Sequence, residues 1–203
     1  MLPDKETAEQ MLVEAEKRNP GPWGNHSRTV AECAEKIAAQ AGLDSGKAYI
    51  VGLLHDIGRR EGVTNFRHII DGYHYLNGLG YNEAAKICLT HSFCIPDIHM
   101  HIGTCDLTGE EYQETVRLLS ECEYDDYDRL IQLCDSIALP QGPVDLATRM
   151  GDVKRRYGHY PEAKWQKNFE LKEYFDRKTG NDVYKIVGAK LEGGDKPCQE
   201  QSL

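Results

Sequence analysis

Ala48-Tyr49-Ile50-Val51-Gly52-Leu53-Leu54-His55-Asp56-Ile57-Gly58 is the stretch whose reading decides the fold. Ile50, Leu53, Leu54 and Ile57 recur on one face at helical spacing, and Ala48, Val51 and Gly52 cover most of the remainder. A helix that is apolar nearly all round is a buried helix. His55 and Asp56 therefore belong in or beside the core. An aspartate is almost never buried without a partner, because stripping water from its charge is too costly. A cation has to meet Asp56, and a metal ion shared with His55 is the economical one. Such an ion needs further ligands elsewhere in the chain.

Working outward, the chain reads as a run of helices. Residues 6–18 form an amphipathic helix on Ala8, Met11, Leu12 and Ala15, stopped by Asn19-Pro20-Gly21-Pro22. The next spans 26–41, with His26, Val30, Cys33, Ala34, Ile37 and Ala38 aligned, Asn25 as its cap and Gly42 as its end. The central helix runs from about 44 to 58, capped by Asp44 or Ser45. Helices over 66–79 and from 82 onward follow, the second capped by Asn82 and aligned on Ala84, Ile87, Cys88 and His91. Residues 94–109 read as a long loop, and loops of that length inside a compact domain are usually functional or disordered. Further helices are expected at 109–121, 124–139, 143–157 and 160–178, and no clear strand is visible. The fold class is all-α, a bundle of about eight or nine helices. One domain is expected over 1–190, followed by a frayed tail at 191–203.

The composition fits this reading. A length of 203 residues, with 40% hydrophobic and 28% charged side chains, suits one globular domain. No apolar run approaches the ~20 residues that cross a bilayer, and Met1-Leu2-Pro3-Asp4-Lys5-Glu6 lacks the features of a signal peptide. The expected setting is cytoplasmic, with no membrane partner. The seven cysteines are odd in number and lack CxxC spacing, which argues against a zinc ribbon or a disulfide framework. Cys33, Cys88 and Cys134 fall on apolar stripes as core residues. A net charge of −9 disfavours a nucleic-acid polymer as partner, while leaving a small anionic substrate open. The oligomeric state is not legible.

Chemistry is sought where polar residues interrupt apolar stripes. His26 opens one stripe, His55 and Asp56 close another, His91 sits with Ile87 and Cys88, and Asp135 lies inside Leu130-Ile131-Gln132-Leu133-Cys134. Each alone could be a hydrogen-bonded core residue. Taken together they need as many separate explanations, whereas one metal centre needs one. Nitrogen and carboxylate ligands suit Fe, Mn, Co, Ni or Zn, and the residue types do not choose among them. Neighbouring helical residues diverge by ~100°, so His55 and Asp56 reach one centre only near a helix end or across two ions.

These residues resemble the HD-domain superfamily of metal-dependent phosphohydrolases. The match is His26, His55-Asp56 and Asp135, in the contexts Trp23-Gly24-Asn25-His26-Ser27 and Gly52-Leu53-Leu54-His55-Asp56-Ile57-Gly58, over about 20–140. His68-Ile69-Ile70-Asp71-Gly72 and Thr90-His91-Ser92 resemble the two-metal branch, which includes bacterial diadenosine tetraphosphate hydrolases and HD-GYP cyclic-dinucleotide phosphodiesterases. His74 competes with His68, but it shares a polar stripe with Arg67 and Asp71. His99 and His101 in the long loop could reach a second ion, but as loop histidines they are expected to be exposed. The HD-GYP signature itself is absent.

The resemblance implies an HD-type bundle with the helices of 143–178 packed on the matching core. It implies two divalent transition-metal ions, iron favoured. Asp56 would bridge them, with His26, His55 and Asp135 completing one site and His68 and His91 the other. Metal-activated water would then cleave a phosphomonoester, phosphodiester or phosphoanhydride of a small, nucleotide-like substrate, with Asp56, His55 and Arg59 as the catalytic group. Arg59 has a second reading, as a cation complementing a helix C-terminus. Arg149 and Arg156 look like phosphate ligands, but each follows an acid, Asp145 and Asp152, at the spacing of surface helix pairs, which is the favoured reading. A mixed-valent di-iron oxygenase and a non-catalytic nucleotide or metal sensor are the alternative readings.

Overall fold

The computed structural model describes residues 1–191. The tail expected beyond 191 lies outside the described residues. The helices among the described residues are α1 (Lys5–Arg18), α2 (Trp23–Ala41), α3 (Ser45–Leu54), α4 (Arg67–Gly78), α5 (Asn82–Thr90), α6 (Gly109–Glu121), α7 (Asp126–Asp135), α8 (Leu146–Tyr157), α9 (Glu162–Thr179) and α10 (Val183–Val187). None of them is long and apolar enough to cross a membrane. Single 3-10 turns occupy Ile57–Glu61 and Ile98–Met100.

Helix α3 is the axis of the bundle. Every residue from Ala48 to Leu54 is buried, and the helix packs on α1, α2, α5 and α7. The tightest approach is to α2. A Cβ built on Gly52 would lie 3.0 Å from the Ala31 Cα, so glycine there sets how closely the two helices meet. A second, smaller apolar cluster of Phe66, Ile69, Leu89, Phe93, Ile98 and Leu119 joins α4, α5, α6 and the 91–108 loop.

Several expectations change. Asp44 caps α3 as anticipated, its Oδ1 accepting from the Lys47 N–H at 2.9 Å. The helix nevertheless ends at Leu54, short of Gly58. Asp56 turns out of it at φ −104°, ψ 14°, and the chain continues as the 3-10 turn. A tertiary contact decides this. A Cβ on Gly58 would sit 2.0 Å from the His68 carbonyl oxygen and 2.5 Å from the Gly72 nitrogen, so this turn lies backbone-to-backbone on α4. Helix α2 begins at Trp23 with Pro22 before it, so Asn25 is inside its first turn rather than its cap. Asn82 is likewise the first residue of α5, with Tyr81 preceding it.

Helix α7 stops at Asp135, before the expected 139. The chain then forms a short antiparallel hairpin of β1 (Ala138–Leu139) and β2 (Gly142–Pro143), pairing Ala138 with Pro143 and Leu139 with Gly142. Strands this short carry no readable alternation. Helix α10 is a further element that periodicity misses in so few residues. It is set by Asp182, whose side chain accepts from the Tyr184 and Lys185 N–H groups, and by left-handed Gly188. Helices α9 and α10 both pack on α2.

Candidate metal centre

The end of α3 brings His55 and Asp56 to one place by two devices. His55 follows the last helical residue, fully buried, and the turn at Asp56 redirects the next side chain. The ~100° divergence of an unbroken helix is thereby avoided. Helix α2 brings His26, the buried face of α4 brings His68, and the end of α5 brings His91. The end of α7 brings Asp135.

The side chains converge. His26 Nε2 is 3.0 Å from Asp135 Oδ1. Asp56 Oδ1 is 3.2 Å from His68 Nε2 and 3.7 Å from His91 Nε2, and Asp56 Oδ2 is 3.9 Å from His55 Nε2. The imidazole centroids of His26 and His91 lie 5.3 Å and 5.0 Å from that of His55. His26, His55 and Asp135 form one group whose ligand atoms all lie within 4.8 Å of one another, and His55, Asp56 and His91 form another.

The orientation of the rings is fixed by the backbone. His55 Nδ1 lies 2.7 Å from the Gly52 carbonyl, His91 Nδ1 2.8 Å from that of Cys88, and His68 Nδ1 bonds that of Asn65. A carbonyl only accepts, so each Nδ1 carries the proton and each neutral ring turns an Nε2 lone pair inward. Asp56 Oδ1 is also an acceptor. Acceptors therefore face acceptors in a buried space, and among the described residues His55 Nε2 and Asp56 Oδ1 have no hydrogen-bond partner. Buried polar atoms without partners are costly, and a cation placed among them removes that cost. Nitrogen and carboxylate donors held by second hydrogen bonds are what a divalent transition metal requires.

The charge states agree. Burial lowers the pKa of His26, of His68 and of His91, the last to about 3, so these rings are neutral near pH 7. Burial works to raise Asp56, but the Arg59 guanidinium beside it outweighs burial and holds the carboxyl well below its usual range. Asp135 is likewise lowered against burial, by its bond to His26 together with His55 and Arg149. Arg59 donates from Nε to Asp56 Oδ2 at 2.6 Å and approaches His68 Nε2 with Nη2 at 3.3 Å. It thus lies against Asp56 rather than merely ending a helix.

The glycines and the long loop complete the frame. A Cβ on Gly72 would lie 3.1 Å from Cys88 Sγ and 3.2 Å from the Gly58 nitrogen, so both glycines let the His55-Asp56 turn rest on α4. The 91–108 loop is ordered into a clamp. Asp106 accepts from the Asn65 and Arg67 N–H groups at 2.7 Å each, fixing the entry to α4 and with it the carbonyl that orients His68.

His74 is half-exposed and 3.1 Å from Glu114, away from this cluster, and His99 is exposed beside Asp97. His101 departs from the loop expectation. Its ring centroid lies 4.3 Å from that of Phe66 with the planes tilted by 58°, Nε2 is buried without a partner among the described residues, and burial lowers its pKa to about 3. Arg156 pairs with Asp152 at 3.0 Å as expected, but Arg149 does not lie on the surface. Its side chain is only 15% exposed and approaches Asp135 at 4.0 Å. His26, Asp56, His68, His91 and Asp135 line a cavity of about 670 Å³ together with Arg59 and His101. Helices α8 and α9 and the turn between them add Arg149, Tyr157, Tyr160 and Lys164; pocket walls are expected from the helices after 140, but no motif singles out these residues. The α8 spacing pointed outward, and Lys164 carries no motif at all.

Comparison with known proteins adds the following. The family model for the HD domain matches residues 23–139, more than half of the chain. No curated protein matches the sequence. Among solved structures, the HD domain of L. monocytogenes phosphodiesterase PgpH in complex with cyclic-di-AMP is similar at 15% identity and a TM-score of 0.47. That match covers 91% of this chain and 100% of the other. The same PgpH domain in a second crystal structure gives 17% identity, a TM-score of 0.43, and 84% and 97% coverage.

Proposed function

The chain belongs to the HD-domain family of metal-dependent phosphohydrolases, and from that premise we propose that it hydrolyses a small, nucleotide-like phosphate ester. The observation that carries this is the set of buried acceptor atoms facing one another beside a cavity that Asp56 lines, with His55 Nε2 and Asp56 Oδ1 unpartnered among the described residues. We assign Asp56 as the shared ligand of two ions, His26, His55 and Asp135 to one ion, and His68 and His91 to the other. Iron is the favoured metal on the family resemblance. When bound, such ions activate water for attack on phosphorus and neutralise phosphoryl oxygens.

The chain's own residues have distinct tasks in this reading. The Gly52, Asn65 and Cys88 carbonyls hold the imidazoles in the tautomer that leaves Nε2 free to ligate. The depressed pKa of Asp56 and of Asp135 keeps both carboxylates charged without a proton to displace. Arg59, held by Asp56 and lining the cavity, meets the phosphoryl oxygens of the bound substrate. The Trp23, Tyr157 and Tyr160 rings line the remaining wall and suit the flat face of a base. The free cysteines fit a reducing, cytoplasmic setting.

The test is metal analysis of anaerobically purified protein, then phosphate release from a panel of phosphomonoesters, phosphodiesters and phosphoanhydrides. Asp56→Ala is expected to abolish both bound metal and phosphate release while circular dichroism shows the helices retained. Phosphate release by a folded Asp56→Ala protein would overturn the assignment. Oxygen uptake by the reduced protein without phosphate release would overturn the hydrolase reading.

A further inference from the structure

Helices α8 and α9 follow the family-matched segment, and they close one wall of the cavity. Arg149, Arg155, Arg156 and Lys164 bring positive charge to that wall, and Asp152 is the one carboxylate from α8 or α9 that lines it among the described residues. Asp152 is shared. It is 3.0 Å from Arg155 Nη2, 3.0 Å from Arg156 Nε and 3.7 Å from Arg149 Nη1. Among the described residues Arg149 Nε and Nη1 are buried and make no hydrogen bond, and Nη2 approaches Asp135 of α7 only to 4.0 Å. Lys164 Nζ is held only by neutral groups, the carbonyls of Ser92 at 2.8 Å and Met100 at 3.3 Å. Burial pulls its pKa down, as expected of an ammonium that no carboxylate touches.

Buried cationic donors without acceptors are unfavourable unless an anion covers them. The reacting phosphoryl group does not fill this role, because Arg59 and the candidate metal centre already meet it. A cavity of about 670 Å³ is also far larger than one phosphate needs, and falls in the range that takes an extended small molecule. We propose that the α8–α9 wall binds a second anionic group of the substrate, a phosphate separate from the one that reacts. Arg149 supplies its planar fork and Lys164 a point charge. The substrate is then a doubly or multiply phosphorylated small molecule rather than a simple monoester. This rests on the hydrolase reading above and narrows its substrate class.

The experiment compares kcat/KM within matched pairs: adenosine 5′-monophosphate against adenosine 3′,5′-bisphosphate, and glucose 6-phosphate against glucose 1,6-bisphosphate. A charge-assisted contact of this kind is worth about tenfold to a hundredfold in binding. The expected preference for the bisphosphate is therefore at least about 30-fold, and Arg149→Gln should cut it about tenfold or more, mainly through KM. Lys164→Met should act in the same direction. If that variant fails to fold once its carbonyl bonds are lost, Arg149→Gln decides alone, since two of its guanidinium nitrogens have no hydrogen bonds to lose; its metal content is measured beside the wild type, because Arg149 also approaches Asp135. Equal kcat/KM for mono- and bisphosphates, or a preference untouched by Arg149→Gln, overturns the inference and leaves the hydrolase reading standing. If the purified protein releases phosphate from none of these, nor from the phosphodiesters and phosphoanhydrides of the wider panel, the hydrolase reading fails. Calorimetric titration of that same protein then decides the wall: adenosine 3′,5′-bisphosphate binding at least tenfold tighter than the monophosphate supports it, and equal binding overturns it.

Discussion

Replacing Gly58 by alanine places a methyl group 2.0 Å from the His68 carbonyl oxygen, 2.5 Å from the Gly72 nitrogen and 2.9 Å from the His68 carbonyl carbon. All three are backbone atoms of α4, so no side chain can swing aside. Non-bonded contacts of a Cβ under 3.0 Å essentially do not occur, so the 3-10 turn and α4 must separate by about 1 Å. Overpacking typically costs about 1–3 kcal/mol, and a clash with backbone on two residues belongs at the upper end. For a chain of this length that lowers Tm by roughly 6–12 °C. The same displacement acts on the 3.2 Å approach of His68 Nε2 to Asp56 Oδ1, where metal–ligand distances tolerate only about 0.2 Å. Phosphate release should fall by about a hundredfold or more, with loss of bound metal. Thermal denaturation, metal content and phosphate release are measured together. Gly78→Ala is the control, since its Cβ meets nothing within 4 Å and a helical alanine is neutral or stabilising. A Gly58→Ala protein that melts within about 2 °C of the wild type and keeps its full metal content would refute the reasoning.

The other expectations are simpler to read. His68→Ala should remove at least one equivalent of metal, whereas His74→Ala, half-exposed beside Glu114, should change neither metal content nor stability beyond about 0.5 kcal/mol; loss of metal in His74→Ala would reverse the assignment. The metal-free protein should lose stability in acid from below about pH 6.5. Burial lowers His26, His68, His91 (to about 3) and His101 (to about 3), so between those values and the unfolded value of ~6.5 the unfolded chain binds more protons. Stability then falls with falling pH by up to about 1.4 kcal/mol per unit for each histidine. Asp56 and Asp135 act in the same direction at lower pH. Their contribution is complete above about pH 3.9 and is lost as pH drops through their lower folded values. Denaturant midpoints that stay flat from pH 6.5 to 4.5 would contradict this.

What could be read in the sequence follows from range. The apolar wrap of Ala48–Leu54 has one physical outcome, a buried helix, and that outcome places His55 at the core whatever surrounds it. The stripe of His26 and the interruption of an apolar helix by Asp135 are equally local, and the structure brings those side chains to 3.0 Å. The turn at Asp56 was not legible, because the approach of Gly58 to the His68 carbonyl imposes it across a gap in the chain. His101 was misjudged as exposed because nothing local announces that its ring will lie on Phe66. Arg149 was misjudged for the opposite reason. A local signal, an acid four residues earlier, suggested a surface pair, while tertiary packing turned the guanidinium toward Asp135. The α8–α9 wall is a product of packing throughout.

Anomalous diffraction from crystals of anaerobically prepared protein, collected on both sides of the iron edge, tests the metal assignment at its root. The account predicts two peaks about 3.5–4 Å apart, with Asp56 between them, His26, His55 and Asp135 around one and His68 and His91 around the other. Maps with no anomalous density within ligand distance of His55 Nε2 and Asp56 Oδ1, in protein that still hydrolyses phosphate esters, would contradict it.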